Sequence, residues 1–210
     1  MSISLTIIII ALTVITSMMA FNNPVMKGSA LFYPHAISAR GEWYRFLTSG
    51  FIHADWMHLL VNMYVLYIFG DILEHYLLPL YFHQKTRLVY LAIYLGGMIV
   101  SDIPSYFKHR HDSLYRALGA SGAVSSIVFA GILINPWQGG IGLLFLPGIT
   151  LPPVVFGGLY LLYSAIMARR QSDNVNHDAH FYGALFGLIL PGILQPEIFT
   201  SFFYQIMNRL

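Results

Sequence analysis

Apolar residues in this chain run in long unbroken stretches, separated by short polar or proline- and glycine-bearing intervals. The stretches lie near 3–21, 57–77, 88–101, 117–134, 151–168 and 179–194. Several approach the roughly 20 residues needed to cross a bilayer. Inside hydrocarbon every backbone polar group must find its partner within the segment, so such stretches are helices unless they close into a barrel, and no alternating strand pattern is present. The pattern predicts an all-α membrane protein, one domain over 1–210, built as a bundle of six transmembrane helices with a short tail over 195–210. The interval Asn22–Trp56 is too apolar for a free loop. Its cluster Trp43, Tyr44, Phe46, Leu47, Phe51 and Ile52 predicts a membrane-inserted first loop, with Arg45 snorkelling to phosphates; the bland alternative is an ordinary aromatic belt. Leu146, Pro147, Gly148 and Ile149, followed by Pro152 and Pro153, predict a turn before the fifth span. The tail from Pro196 predicts a short amphipathic surface helix. No internal repeat or low-complexity tract is visible.

Composition strengthens the membrane reading. Of 210 residues, 57% are hydrophobic and 10% charged, where soluble domains carry about 25% charge. Mean hydropathy is +0.64. The formal net charge of +2 is scattered, so no basic stripe marks a nucleic-acid partner. There is no cysteine, which excludes disulfides, thiolate metal sites and a cysteine nucleophile together. No HExxH occurs, and His177 with His180 lacks a carboxylate at ligand spacing, so neither metal nor other cofactor is expected. Met1–Ala20 lacks a basic leader and its apolar run is long for a signal peptide, which predicts an uncleaved first span.

Polar side chains inside spans are costly, which narrows the search for chemistry. His58 and Asn62 stand four apart on one helical face. Their bland use is to join helices by hydrogen bonds. Ser121, within Gly119-Ala120-Ser121-Gly122, begins an apolar helix, where free N–H groups and the helix dipole stabilise an anion; the bland alternative is a cap or a small packing residue. His180 opens the last span, and Gly183 with Gly187 forms a GxxxG face that lets this helix approach a neighbour closely. An imidazole is the usual base for activating a serine hydroxyl, although a histidine bonded to a carbonyl is equally ordinary. Spacing alone does not bring these four residues together.

Taken in order, the three motifs resemble the rhomboid intramembrane proteases over nearly the whole chain: His58-x-x-x-Asn62 on the second span, Gly119-x-Ser121-Gly122 on the fourth, and Ala179-His180-x-x-Gly183-x-x-x-Gly187 on the sixth. The resemblance implies a rhomboid-like six-helix bundle and a serine endopeptidase that cuts peptide bonds in or near transmembrane segments of other membrane proteins. It implies Ser121 as nucleophile, His180 as general base and acid, and His58 and Asn62 as oxyanion-stabilising groups. The partners implied are transmembrane substrates and membrane lipids, in a bacterial plasma membrane. A triad through Asp178 is disfavoured, because side chains two apart face different sides of a helix. Gly70 with Glu74 is similar to the family's second helix, where the Glu is structural, and Glu42 with Arg45 to its first-loop motif. Two departures stand out. Trp43 lies one place further from Arg45 than in the family motif. Ser125 occupies a position where some members carry an aromatic ring that packs on the catalytic imidazole, which leaves open how His180 is held.

With the family's cytoplasmic N-terminus, the active-site face carries Lys27, Arg40, Arg45, Lys108, Arg110, Arg116, Arg169 and Arg170, against Lys85, Arg87 and Arg209 opposite. The positive-inside rule thus favours the reverse orientation, whereas the resemblance favours the family topology, which is the expectation here. The resemblance also implies a polar cavity covered by the loop around Asp173–Asp178, with substrate entering beside the second and fifth spans. Two rival functions are a catalytically inactive relative that binds or escorts membrane clients, and a small transporter. The second is disfavoured by the expected lack of an acidic residue well inside a span.

Overall fold

The computed structural model of the protein describes residues 3–143, 146–170 and 175–209. Helix α1 (Leu5–Phe21) begins at Ser4, whose hydroxyl accepts from the Ile7 N–H. Its Ile7–Ile10 run would be a poor helix in water, and only an apolar surround makes internal backbone bonding compulsory. The first loop folds into α2 (Pro24–Ala30), α3 (Pro34–Arg40) and α4 (Arg45–Thr48), two of which open with proline in the first turn, where no N–H is needed. Gly41, at φ 70°, stops α3 in the left-handed conformation.

Helix α5 (Trp56–Ile72) is capped by Asp55, which accepts from the His58 N–H at 2.8 Å; it continues through a π turn over Leu73–Leu77 into α6 (Pro79–Phe82). Helix α7 spans Thr86–His109, α8 Ser121–Ile134, α9 Pro153–Arg170, α10 His177–Leu194 and α11 Glu197–Met207. The axis turns by 115° between α10 and α11, so the expected tail helix runs across the end of the bundle.

Three expectations are corrected. The third long helix does not stop at Ser101 but runs on to His109, and the Asp102 carboxylate within it is buried and accepts a hydrogen bond from Asn176. The fourth begins at Ser121 and not at Ala117: residues 117–119 are drawn into a β-bridge with Phe32 and a positive-φ glycine at Gly119. The segment expected to be only a turn forms strand β2 (Leu146–Leu151), antiparallel to β1 (Ile141–Leu143), with Ile141 opposite Leu151 and a register shift after Gly142.

The core is organised around α8, in which twelve of fourteen residues are buried, as an apolar helix without a polar face requires. Helices α5, α7, α9 and α10 surround it. Large apolar side chains face outward on α1 (Leu12, Ile15, Met19), α5 (Leu60, Tyr64, Tyr67) and α9 (Leu159, Leu162, Ile166), a belt suited to lipid tails. By length and composition, the Trp56–His109 stretch qualifies for crossing a membrane, as does the bent α10–α11 pair, while α1 and α8 are shorter apolar helices. At the far end of the bundle from Ser121, Glu74 accepts from the N–H groups of Leu5 and Thr6 and from the hydroxyls of Ser4 and Thr6 at 2.7–2.9 Å. Those bonds satisfy the free donors that begin α1, which is the structural use expected of this carboxylate.

Candidate active site

Helices α8 and α10 touch backbone to backbone. A Cβ on Gly183 would fall on the carbonyl of Gly122, and one on Gly187 on the carbonyl of Ser126. Both pairs share the same offset along the chain, so the helices run parallel and their N-terminal ends lie together. Ser121 is the first residue of α8, and His180 stands one turn into α10, each half-buried. The GxxxG face therefore brings the two candidate residues to one end of one helix pair, as its spacing predicts.

The turn before Ser121 is held from several sides. Gly119, at φ 119°, lets the chain reverse, and its N–H donates to the Ser49 carbonyl at 2.9 Å. A Cβ at Gly119 would lie 2.5 Å from Cε1 and 2.7 Å from Nε2 of His58, so the histidine packs directly on this turn. The Nδ1 of His58 lies 3.5 Å from the Ala54 N, and its Nε2 faces the turn. Asn62 is buried, and its amide donates to the His58 carbonyl at 2.9 Å. His58 and Asn62 thus share a face as expected, with the imidazole against the serine turn and the amide engaged one turn below. Ala120 supplies no side-chain cap, which leaves the first-turn N–H groups of α8 directed outward. Helices α5, α8 and α10 all present their N-terminal ends here, so three positive dipole ends converge where an anion would form.

Several residues of this region were not picked out from the sequence. His53 is fully buried between α1 and the serine turn: its Nδ1 lies 3.0 Å from Ser17 Oγ, and its Nε2 accepts the Ala120 N–H at 3.3 Å. Burial, with His58 beside it, pushes its pKa down to about 3, so the ring is neutral at physiological pH. Asn176 caps α10 by accepting the Ala179 N–H at 3.1 Å; it also accepts from Ser105 and donates to Asp102. Asp102, Asn176 and Ser121 line a cavity of about 20 Å³, room for one water. Asp102, one residue beyond the expected third span, is buried within α7. Asp178 forms an ion pair with Lys108 at 3.0 Å, an engagement away from His180 that fits its exclusion from a triad. Asp173, part of the expected covering loop, lies outside the described residues. Among the described residues no group of three or more potential ligands gathers to hold a metal ion.

Arg45 does not snorkel to phosphates as expected, because protein partners take up its guanidinium. Arg45 is buried, paired with Glu42 at 2.5 Å and donating to the carbonyls of Gly28 and Leu31, so it ties α2 to α4. The shifted Trp43 stacks on Phe46 and tilts against Tyr106 of α7, which closes the first loop onto the bundle.

The Rhomboid domain family model matches residues 40–197, most of the chain and all of the site just described. This chain belongs to the rhomboid family. Curated relatives agree: it is 28% identical over 158 residues to Rhomboid-like protein 11, chloroplastic, of Arabidopsis thaliana, covering 73% of this chain and 53% of that protein. It is 28% identical over 152 residues to YdcA of Bacillus subtilis, provisionally named a rhomboid protease, covering 72% and 67%. It is 31% identical over 149 residues to the human presenilin-associated rhomboid-like protein, mitochondrial, covering 68% and 35%. The chain thus spans about half of the plant relative and about a third of the human one. As a rhomboid it is membrane-embedded, and the relatives named include organellar proteins.

Proposed function

We propose that this rhomboid chain is an intramembrane serine endopeptidase of the six-span type, cutting peptide bonds in or near transmembrane segments of other membrane proteins. The observation that carries the proposal is the placement of Ser121 at an uncapped helix N-terminus beside a parallel helix bearing His180 one turn from its own start. In this reading Ser121 Oγ attacks the scissile carbonyl carbon while His180 takes its proton. The tetrahedral oxyanion is met by the Ser121 N–H, by His58 Nε2–H and by the Asn62 amide after it turns from the His58 carbonyl. Collapse breaks the C–N bond, with the proton passing from His180 to the leaving amine. A water deprotonated by His180 then cleaves the ester on Ser121. The cavity bounded by Ser121, Asp102 and Asn176 has room to keep one such water close.

Substrate access is proposed between α5 and α9, both of which turn exposed apolar side chains outward, Leu60, Tyr64 and Tyr67 on the one and Leu159, Leu162 and Ile166 on the other. Substrates are segments whose helices loosen readily, since a helical backbone hides its carbonyls. The proposed setting is a bacterial plasma membrane with the N-terminus cytoplasmic.

The test is reconstitution into liposomes with a single-span reporter carrying glycine or proline in its membrane segment. Wild type is expected to produce one defined pair of fragments. Ser121→Ala and His180→Ala should each lower the rate by about 10³-fold or more. Fragments that persist in Ser121→Ala would refute the mechanism. An intact reporter that nevertheless co-purifies with wild type would support the inactive client-binding relative instead.

A further inference from the structure

We propose that Tyr160 is the residue that positions the His180 imidazole, and that Ser125 fixes Tyr160 in that place. The inference rests on the serine–histidine reading above and concerns how its base is oriented. The rings of Tyr160 and His180 lie nearly parallel, 17° apart, with centroids 6.1 Å from each other. The Tyr160 hydroxyl and Ser125 Oγ are 2.8 Å apart, one turn below Ser121 on α8. Phe129 and Phe156 flank the tyrosine ring at 5.5 and 5.9 Å, which leaves it little freedom to turn. The imidazole also meets the edge of His177, at 5.7 Å and 74°. His180 is thus stacked on one ring and edged by another, and offset stacking fixes a ring plane as a single hydrogen bond does not.

The arrangement explains why α8 carries a serine where an aromatic ring would have been the obvious partner for the base. The ring is supplied by α9, and a small hydroxyl at 125 makes room for it and bonds its far end. It also has a mechanical consequence. Only Pro153, Gly157 and Ser164 of α9 are buried, so α9 is lightly held compared with α8. An outward displacement of α9 draws the ring off His180, and the orientation of the base then depends on where that helix stands.

Two readouts on the full-length protein in detergent test this. Nuclear magnetic resonance of ¹³Cε1-labelled histidines, with the His180 signal assigned by its loss in His180→Gln, reports the stacking itself. Fluorophosphonate labelling of Ser121 as a function of pH reports its consequence. Tyr160→Leu should move the His180 signal downfield, shift the acid limb of the labelling profile and slow labelling roughly three- to tenfold. Tyr160→Phe keeps the ring and loses one neutral hydrogen bond, so it should stay within about threefold of wild type. Adding Ser125→Phe to Tyr160→Leu returns a ring from α8 and should restore most of the rate. A Tyr160→Leu protein with unchanged signal, profile and rate overturns the proposal. So does a rate that falls equally in Tyr160→Phe and is not rescued at 125, which marks a packing defect. Wild type that never labels at Ser121 fails the serine–histidine reading first and takes the positioning role with it, while the resonance shift still reports whether the rings stack.

Discussion

His53 shows how much of the site depends on a side chain that need not touch substrate. Its two ring nitrogens join α1, through Ser17, to the N–H of the residue before Ser121. Nε2 can accept only while the ring is neutral, and burial holds the pKa at about 3. The sign of the pH effect follows. The unfolded chain binds a proton below about 6.5, whereas the folded ring does not do so until about 3, so the full contribution is present above 6.5 and is lost as pH falls through that window. Stability should therefore fall as pH drops between roughly 6 and 4, by on the order of 1 kcal/mol per pH unit on account of this residue. Thermal melts of wild type and His53→Gln at a series of pH values check this; parallel pH dependences would contradict it. The same comparison at pH 8 should show the variant less stable, by about 1–3 kcal/mol, from the unsatisfied Ala120 N–H. His53 was barely legible in the sequence, because a histidine in a proline- and aromatic-rich loop does not reveal which backbone it will meet.

Among the elements, the α8–α10 pair was the most legible, because small residues at a spacing of four have one common use in a membrane bundle and here they serve it. The face bearing Gly183 and Gly187 meets Gly122 and Ser126 with no room for a side chain. Gly183→Val has backbone in its way, not a flexible side chain. It should cost about 3 kcal/mol, the upper end for overpacking, and reduce Ser121 reactivity more than a distant substitution of equal cost. A melt within about 1 kcal/mol of wild type would show that the contact is looser than described. Other elements were not legible. The run from Thr86 to His109 contains Asp102 and Pro104, each of which normally ends an apolar helix, and the partner that takes up the Asp102 carboxylate, Asn176, lies seventy-four residues on. The β1–β2 hairpin is short and proline-bearing, so local pattern favours a turn. Tyr160 was hidden for a related reason: a tyrosine on an apolar helix has many uses, and only the approach of α9 to His180 selects one.

Across the whole molecule, packing is uneven. Helix α8 is enclosed, α7 and α10 bracket it, and α9 leans on them through few buried side chains. Local stability follows burial, so backbone amides of α9 should exchange with solvent at least about tenfold faster than those of α8 in the same micelle. Hydrogen exchange read by mass spectrometry measures this, and equal protection would remove the basis for treating α9 as the yielding wall. The site lies at the end of the bundle where α5, α8 and α10 begin, while Glu74 closes the start of α1 at the other. One end thus gathers three helix N-termini, and the opposite end holds a carboxylate cap. The charge counts bear instead on which face of the membrane that end meets, and several of the basic residues counted there, Arg40, Arg45 and Lys108, are engaged in ion pairs. The central claim is that Ser121 is a nucleophile activated by His180. Fluorophosphonate treatment of the folded wild-type protein, mapped by peptide mass spectrometry beside His180→Ala, tests it most directly. The account predicts label on Ser121 that vanishes in the variant; a folded wild type with no label on Ser121, or with equal label in His180→Ala, would contradict it.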